Sequence, residues 1–322
     1  MIGFGARLEE TFGADRVRRE IPLAPLTTFK VGGPAEFFIE AQNEQEIVEA
    51  LKIASAAGVK VTVLGGGSNV LISDRGIRGL VIRPRGGNVS IIGPSDSAAS
   101  APSAVLVRAD AAVTINGLVR WTINRGYAGL EAWAGTPGTV GGAIYGNAHW
   151  KSTNIGDLVE SVRLARPNGT LLQAPADRME FSYDYSRLKH TGEVVLWAAF
   201  RVTPGGDPNA LRAIARESLA FRKRTQPLEA PSAGCIFMNP DRARDSVPEG
   251  IPPSAGALVD RAGLKGVASN GARVSATHAN FIINDGSADA ADIRALIERC
   301  RAAVKDQFGV VLRNEIIYLG DF

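Results

Sequence analysis

Glycine gathers in three short stretches of this chain: VGG at 31–33, LGGGSN at 64–69 and AGTPGTVGGAIYG at 134–146. Lacking a Cβ, glycine serves where backbone turns sharply or comes close to something else. The chain has 36 glycines in 322 residues, well above the usual share of about 7%. The middle cluster follows KVTVL (60–64), a strand-like run, which itself follows a helical pattern. The first part thus reads as a strand-helix-strand unit ending in the triple glycine, which predicts a mixed fold.

The pattern along the chain supports that mixture. Ile47, Val48, Leu51 and Ala54 have helical spacing in residues 44–57, with Asn43 suited to the N-cap and Gly58 to the stop. FFIEA before this helix and AVLVRADA (104–111) read as strands, and INGLVRWTINRG as a helix closing at Gly126. LVESVRLARPNGTLLQ reads as two strands joined at an Asn-Gly turn, followed by the strand EVVLWAAFRVTP. GGDP (205–208) marks a boundary. NALRAIARESLAFRKR is a helix whose terminal cations suit the helix dipole. The clearest helix is SADAADIRALIERCRAAVKDQFG, where Ile293, Leu296, Ile297, Cys300 and Val304 share a face. Cys300 therefore reads as a core thiol. VVLRNEIIYLG reads as a terminal strand, and GPSDSAASAPSA (93–104) as a flexible surface loop.

Composition narrows the function classes. The net charge is +3, from 36 basic and 33 acidic residues, too little to suggest a nucleic-acid binder. Two cysteines make no disulfide framework, and no Cys-His spacing fits zinc, so no metal is expected and both thiols are expected to be reduced, as in cytoplasm. The start, MIGFGARLEE, lacks the form of a signal peptide, and the longest apolar run, VVLWAAF, is too short to span a bilayer.

Each motif has a bland reading beside a chemical one. VLGGGSNVL is either a tight surface turn or a phosphate cradle, with backbone N–H groups and the side chains of Ser68 and Asn69 as donors. It is neither G-x-G-x-x-G nor G-x-x-x-x-G-K-[ST]. GTPGTVGGA (135–143) adds a second glycine loop, and two such loops could wrap a dinucleotide. Cys235, in PSAGCIFMNP, is a buried structural thiol, a nucleophile or a proton donor. A nucleophile needs an adjacent base, and the three histidines, His149, His190 and His278, sit in no local signature for one. Glu315 simply faces water, and His278 satisfies a hydrogen bond, in their default readings.

Taken together, LTTFKVGGPAEFF, VLGGGSNVLISD, GTPGTVGGAIYGNA, RKRTQP, PSAGCIFMNP, AGALVDRAGLKG and HANFIIN, in that order, resemble the UDP-N-acetylenolpyruvoylglucosamine reductase (MurB) family in its compact form. The resemblance covers essentially the whole chain. It implies an α+β flavoprotein: a two-part FAD-binding fold of the vanillyl-alcohol-oxidase type, spanning 1–83 and 84–205, and a substrate-binding domain at 206–322 whose last strand returns to the first part. It implies that Gly65, Gly66, Gly67, Ser68 and Asn69 cradle the pyrophosphate of non-covalent FAD. Pro137, Gly138, Thr139, Gly142 and Ala143 would lie along the flavin and its phosphates. NADPH would reduce the flavin, and the hydride would pass to the enolpyruvyl group of UDP-N-acetylglucosamine enolpyruvate, a step of peptidoglycan synthesis carried out by a cytoplasmic monomer. Charge that builds during such a transfer needs preorganised donors and an acid. Cys235 takes the place of the family's proton-donating Ser or Cys. Glu315 matches its glutamate, with Asn314 where the family has Pro. Tyr183, Asn239 and His278 would touch substrate.

Two positions depart from the family. Its motif F-G-Y-R-x-S reads FSYDYS here, so Asp184 stands where a catalytic arginine is expected, and an acid there would invert the local electrostatics. Arg187, three residues on, is the nearest replacement cation. Met238 stands where the family often has lysine. These departures keep two alternatives open: a flavin oxidoreductase of the same fold with another substrate, and a binder of UDP-sugar or FAD with weakened catalysis.

Overall fold

The computed structural model describes residues 3–94, 104–151 and 153–322. Most of the Ser/Ala/Pro-rich stretch at 93–104 lies outside the described residues. The chain forms two compact units, each made of separated stretches. The first comprises 1–19, 37–66 and 79–221; the second comprises 20–36, 67–78 and 222–322.

In the first unit the helix Glu44–Ala56 forms as its pattern dictates. The Asn43 side chain accepts from the Glu46 N–H, and Ile47, Val48, Ala50, Leu51, Ile53 and Ala54 are buried. They pack with Leu8, Phe12, Ile39, Leu80 and Ile82. A four-stranded sheet has the order Arg18–Pro22, Pro34–Ala41, Ile77–Pro84, Val61–Val63, its first three strands each running across a boundary of the units. The last is half-buried rather than fully buried, because it pairs on one side only, in parallel with Ile77–Pro84.

A five-stranded sheet follows, ordered Leu171–Pro175, Val159–Ala165, Val194–Val202, Val105–Asp110, Val89–Pro94. Among these strands, Val194–Val202 pairs antiparallel with both Val159–Ala165 and Val105–Asp110. Val194–Val202 is central and nearly all apolar, as a strand covered on both faces must be. The Asn-Gly turn before Leu171–Pro175 closes with the Arg166 N–H on the Thr170 carbonyl, and Gly169 takes φ +81°. Trp133, Phe200, Val162, Leu118 and Ile144 lie at the centre of this core.

The glycine stretch 134–146 is not all loop. Its second half is the helix Val140–Gly146, capped by the Thr139 side chain. Val140, Ala143 and Ile144 supply a buried face that outweighs the poor helix propensity of three glycines.

The second unit packs Ile293, Leu296, Ile297, Cys300 and Val304 of the helix Ala290–Phe308 against Leu258, Val259, Ala272, Val274 and Ile282. This helix begins with a capping box between Asp289 and Asp292, and the Asp74 carboxylate accepts from the N–H groups of Ala290 and Ala291. The terminal strand is shorter than its apolar pattern predicts. Only Ile317–Leu319 is strand, parallel to Val70–Ile72. Residues just before it make single bridges instead, such as Asn314 with Phe237. Among the described residues no helix is long and apolar enough to cross a membrane, and no cluster of His, Cys, Asp and Glu is arranged for a metal ion.

Candidate active site

In the first unit the two glycine stretches meet backbone to backbone. A Cβ on Gly66 would lie 2.7 Å from the Gly138 Cα, and one on Gly65 would lie 2.6 Å from Thr139 Oγ1. The segment is pinned by Ile115 N–H to the Gly138 carbonyl, Val140 N–H to that of Val113, and Gly141 N–H to that of Ala111. Pro137 and Gly142 are exposed, and Ala143 is buried. Glycines at the meeting point let the two backbones approach, and glycine-rich loops of this kind can offer amides to phosphate.

The motif FSYDYS also lies in the first unit. Ser182 and Tyr185 exchange both backbone hydrogen bonds at 3.1 Å, which makes Tyr183-Asp184 a two-residue turn. Asp184 has φ +51°. The third position of a turn often requires left-handed backbone, and Asp tolerates it better than most residues. The Asp184 side chain is turned inward, with the residue only 6% exposed. Its Oδ1 accepts from His149 Nδ1 at 2.9 Å, and its backbone carbonyl accepts from Lys189 Nζ at 2.6 Å. Arg187 forms an ion pair with Glu193 at 2.9 Å. The exposed Tyr183 ring lies 5.0 Å from the His149 ring.

In the second unit, Cys235 lies on a short extended segment between two others. Cys235 bridges Phe281, and Ile236 N–H donates to the Asn280 carbonyl. On the other side Glu315 N–H donates to the Ile236 carbonyl, and Met238 N–H to that of Arg313. The Asn280 side chain clamps Phe237, accepting from its N–H at 2.9 Å and donating to its carbonyl at 2.7 Å. Gly234, at φ +80°, supplies the left-handed step before Cys235. Asn69 Nδ2 donates to the Glu315 carbonyl at 3.2 Å, so the end of the GGGSN loop is bonded to the glutamate's segment. A Cβ on Gly67 would strike the Leu26 carbonyl at 2.2 Å. Ser68 is half-buried.

Burial pulls the Arg222 guanidinium down to about 10, and the charge interaction with Cys235 opposes it. Arg222 therefore stays cationic at neutral pH. Burial also lowers the His278 imidazole, whose Nδ1 accepts from Asn280 N–H. That bond requires an unprotonated Nδ1, so His278 orients the Asn280 loop as a neutral ring. The exposed Asn239 uses its side-chain oxygen to accept from Ala255 N–H, where the helix Ala255–Arg261 begins.

His149 and Asn280 are the site residues that sequence reading passed over. Asn280 lies inside HANFIIN, but its bonds run to Phe237, 43 residues away. His149 lies three residues after the glycine stretch, and its partner lies 35 residues on.

The comparisons with known proteins bear on both units. Residues 226–319 match the profile described as UDP-N-acetylenolpyruvoylglucosamine reductase, C-terminal domain. Residues 35–174 match an FAD binding domain. A curated UDP-N-acetylenolpyruvoylglucosamine reductase from Parasynechococcus marenigrum is 39% identical over 94% of this chain and 96% of its own length. The protein of that name from a Synechococcus strain is 36% identical over 95% of both. This chain belongs to the UDP-N-acetylenolpyruvoylglucosamine reductase family. The crystal structure of the family member from Thermus caldophilus matches it with a TM-score of 0.74 at 29% identity, covering 95% of this chain and 99% of that one. The α+β flavoprotein fold expected from the sequence is thereby borne out, as is FAD as the cofactor. The residues fit that cofactor: the FAD-binding profile takes in both apposed glycine loops, where a single Cβ at Gly66 would fill the approach.

Proposed function

We propose that this chain reduces UDP-N-acetylglucosamine enolpyruvate to UDP-N-acetylmuramate, with NADPH as reductant, in the cytoplasmic stage of peptidoglycan synthesis. The observation that carries the reading is the placement of Cys235 and Glu315 on neighbouring hydrogen-bonded segments, inside the region matching the reductase C-terminal domain. Bound FAD supplies the hydride that NADPH delivers and C3 of the enolpyruvyl group receives.

The residues of the chain do the remaining work. Gly65, Gly66, Gly67, Ser68 and Asn69 hold the pyrophosphate, and Pro137, Gly138, Thr139, Gly142 and Ala143 line the flavin, where apposed glycines let amides come close. Cys235 holds the proton destined for C2. A thiol is more acidic than a serine hydroxyl, which suits it to give up a proton. Glu315 assists at the substrate carboxylate, and Asn69 fixes that segment through the Glu315 carbonyl. Tyr183, Asn239 and His278 contact substrate, while Asp184 is turned inward onto His149 and Arg187 is paired with Glu193.

The test is an anaerobic pair of half-reactions. NADPH bleaches the yellow protein, excess is removed, and UDP-N-acetylglucosamine enolpyruvate is added. Prompt return of the yellow colour is expected. A flavin that stays bleached would assign the protein to another substrate.

A further inference from the structure

Arg301, on the helix Ala290–Phe308, holds the segment that carries Glu315 at two points. Its Nε donates to the Leu312 carbonyl at 3.0 Å, and its Nη2 donates to Asn314 Oδ1. Its Nη1 pairs with Glu298, three residues earlier on the same helix. A guanidinium presents its donors in a planar, rigid fork, so acceptors two residues apart are set in one orientation. The guanidinium carbon also lies 5.7 Å from the centre of the Phe237 ring, within reach of a cation–π contact. Phe237 is buried and follows Cys235 by two residues. One side chain therefore touches both the segment of Glu315 and the segment of Cys235.

The burial pattern explains why Asn314 meets this guanidinium. Val310 and Leu312 are buried, and Val311 and Arg313 are exposed. Successive side chains of an extended chain point to opposite faces, so Asn314 falls on the inward face, where its amide needs a partner. Arg301 supplies one, and Glu315, next in the chain, is turned to the other face. Asn314 also bridges Phe237, with the Met238 N–H on the Arg313 carbonyl at 2.9 Å and the Glu315 N–H on that of Ile236 at 2.8 Å. Both bonds flank the Phe237–Asn314 pair, so neither uses the Asn314 N–H. Proline, the family's residue at this place, would leave both bonds intact and fix its own φ through the ring. Asparagine has no such constraint, and the bond to Arg301 stands in its place.

We propose that Arg301 is a positioning residue for the reaction: acting through Asn314, Leu312 and Phe237, it sets the segment of Glu315 against that of Cys235, and its bond to Asn314 replaces the constraint of a proline. The inference rests on the reductase reading above, which assigns the chemistry to Cys235 and Glu315.

The experiment follows the two half-reactions separately in the FAD-loaded protein. Asn314→Ala removes the acceptor, and is expected to slow reoxidation of the reduced protein by UDP-N-acetylglucosamine enolpyruvate by about ten- to a hundredfold, the range that a misplacement on the order of 1 Å produces. Reduction of the flavin by NADPH stays at the wild-type rate. Asn314→Pro recovers most of the loss. Arg301→Met slows the same half-reaction, and costs less in the Asn314→Pro protein than in the wild type, because the bond it removes is no longer the constraint. An Asn314→Ala protein reoxidised at the wild-type rate overturns the inference. So does an equal loss in both half-reactions, which marks a general weakening of the fold, and so does an Arg301→Met cost that is the same in both backgrounds. Should Arg301→Met fail to fold, the Asn314 variants decide: a proline variant as slow as the alanine one overturns the inference, and a faster one supports it. A wild-type protein whose reduced flavin stays bleached with this substrate overturns the reductase reading and the inference with it.

Discussion

The Glu315 N–H donates to the carbonyl of Ile236, the residue after Cys235, at 2.8 Å. This bond puts the candidate proton donor and the candidate carboxylate on adjoining segments although 80 positions separate them in the chain. General-acid contributions are typically 10²- to 10⁴-fold. Cys235→Ala is expected to slow the reoxidation of reduced protein by substrate by about that factor, with NADPH reduction of the flavin within a few-fold of wild type. Stopped-flow absorbance of the two half-reactions checks this. Equal losses in both halves would assign Cys235 a structural role.

Gly66 faces Gly138 with room for nothing more. A Cβ there would sit 2.7 Å from a backbone atom, and backbone cannot step aside as a flexible side chain can. Gly66→Ala should weaken FAD retention by at least about tenfold, the equivalent of 1.4 kcal/mol. The flavin-to-protein absorbance ratio after gel filtration measures it. A fully yellow variant would remove the Gly66–Gly138 contact from the cofactor argument.

The two thiols should differ sharply. Burial pushes the Cys300 thiol up to about 12, so at pH 8 it is almost wholly protonated and shielded, and the thiolate is the reactive form. Cys235 is only partly buried. A disulfide reagent should label one equivalent in the folded protein and two after denaturation, with Cys235→Ser abolishing the first. Labelling of Cys300 in native protein at a comparable rate would contradict its place in the core.

Asp74 caps a helix from far away in the chain. Its two oxygens accept from Ala290 and Ala291 N–H, and loss of such a cap costs about 0.5–2 kcal/mol. Asp74→Ala should lower the stability of the protein by that order in a denaturant titration. Asp74→Asn, which keeps one acceptor oxygen, should recover part of the loss.

The Arg16–Glu46 pair predicts a pH dependence with a definite sign. The hydrogen bond from Arg16 holds the Glu46 carboxyl below its ordinary value, against a smaller opposing effect of burial. A depressed folded value means stability that is present above the unfolded value, near pH 4.3, and lost as pH falls through the folded one. The pair is partly exposed, so it contributes at most about 1 kcal/mol. The difference in melting temperature between wild type and Glu46→Gln should be constant from pH 6 to 8 and shrink below about pH 4. A difference that grows in acid would refute the assignment.

Local chemistry made much of this protein legible from its sequence. Asn43 before an apolar helical face, an Asn-Gly turn between two strands and the i, i+3, i+4 spacing around Cys300 all involve residues a few positions apart, where backbone sterics and periodicity act directly. Motif order then sufficed for the family and its cofactor. Tertiary structure decided what depends on contacts between distant segments. Residues 310–316 look like strand, but they make a single isolated bridge, Asn314 with Phe237, whereas Ile317–Leu319 pairs continuously with Val70–Ile72. The helix in the second glycine stretch exists because Val140, Ala143 and Ile144 find a core to enter. Asp184 shows the difference most plainly. In the sequence it is an acid in place of a cation. In the fold, a left-handed turn buries its carboxylate against His149. The charge a residue presents depends on which way its side chain points and what meets it there, and a buried carboxylate takes its meaning from the donor that the rest of the chain supplies.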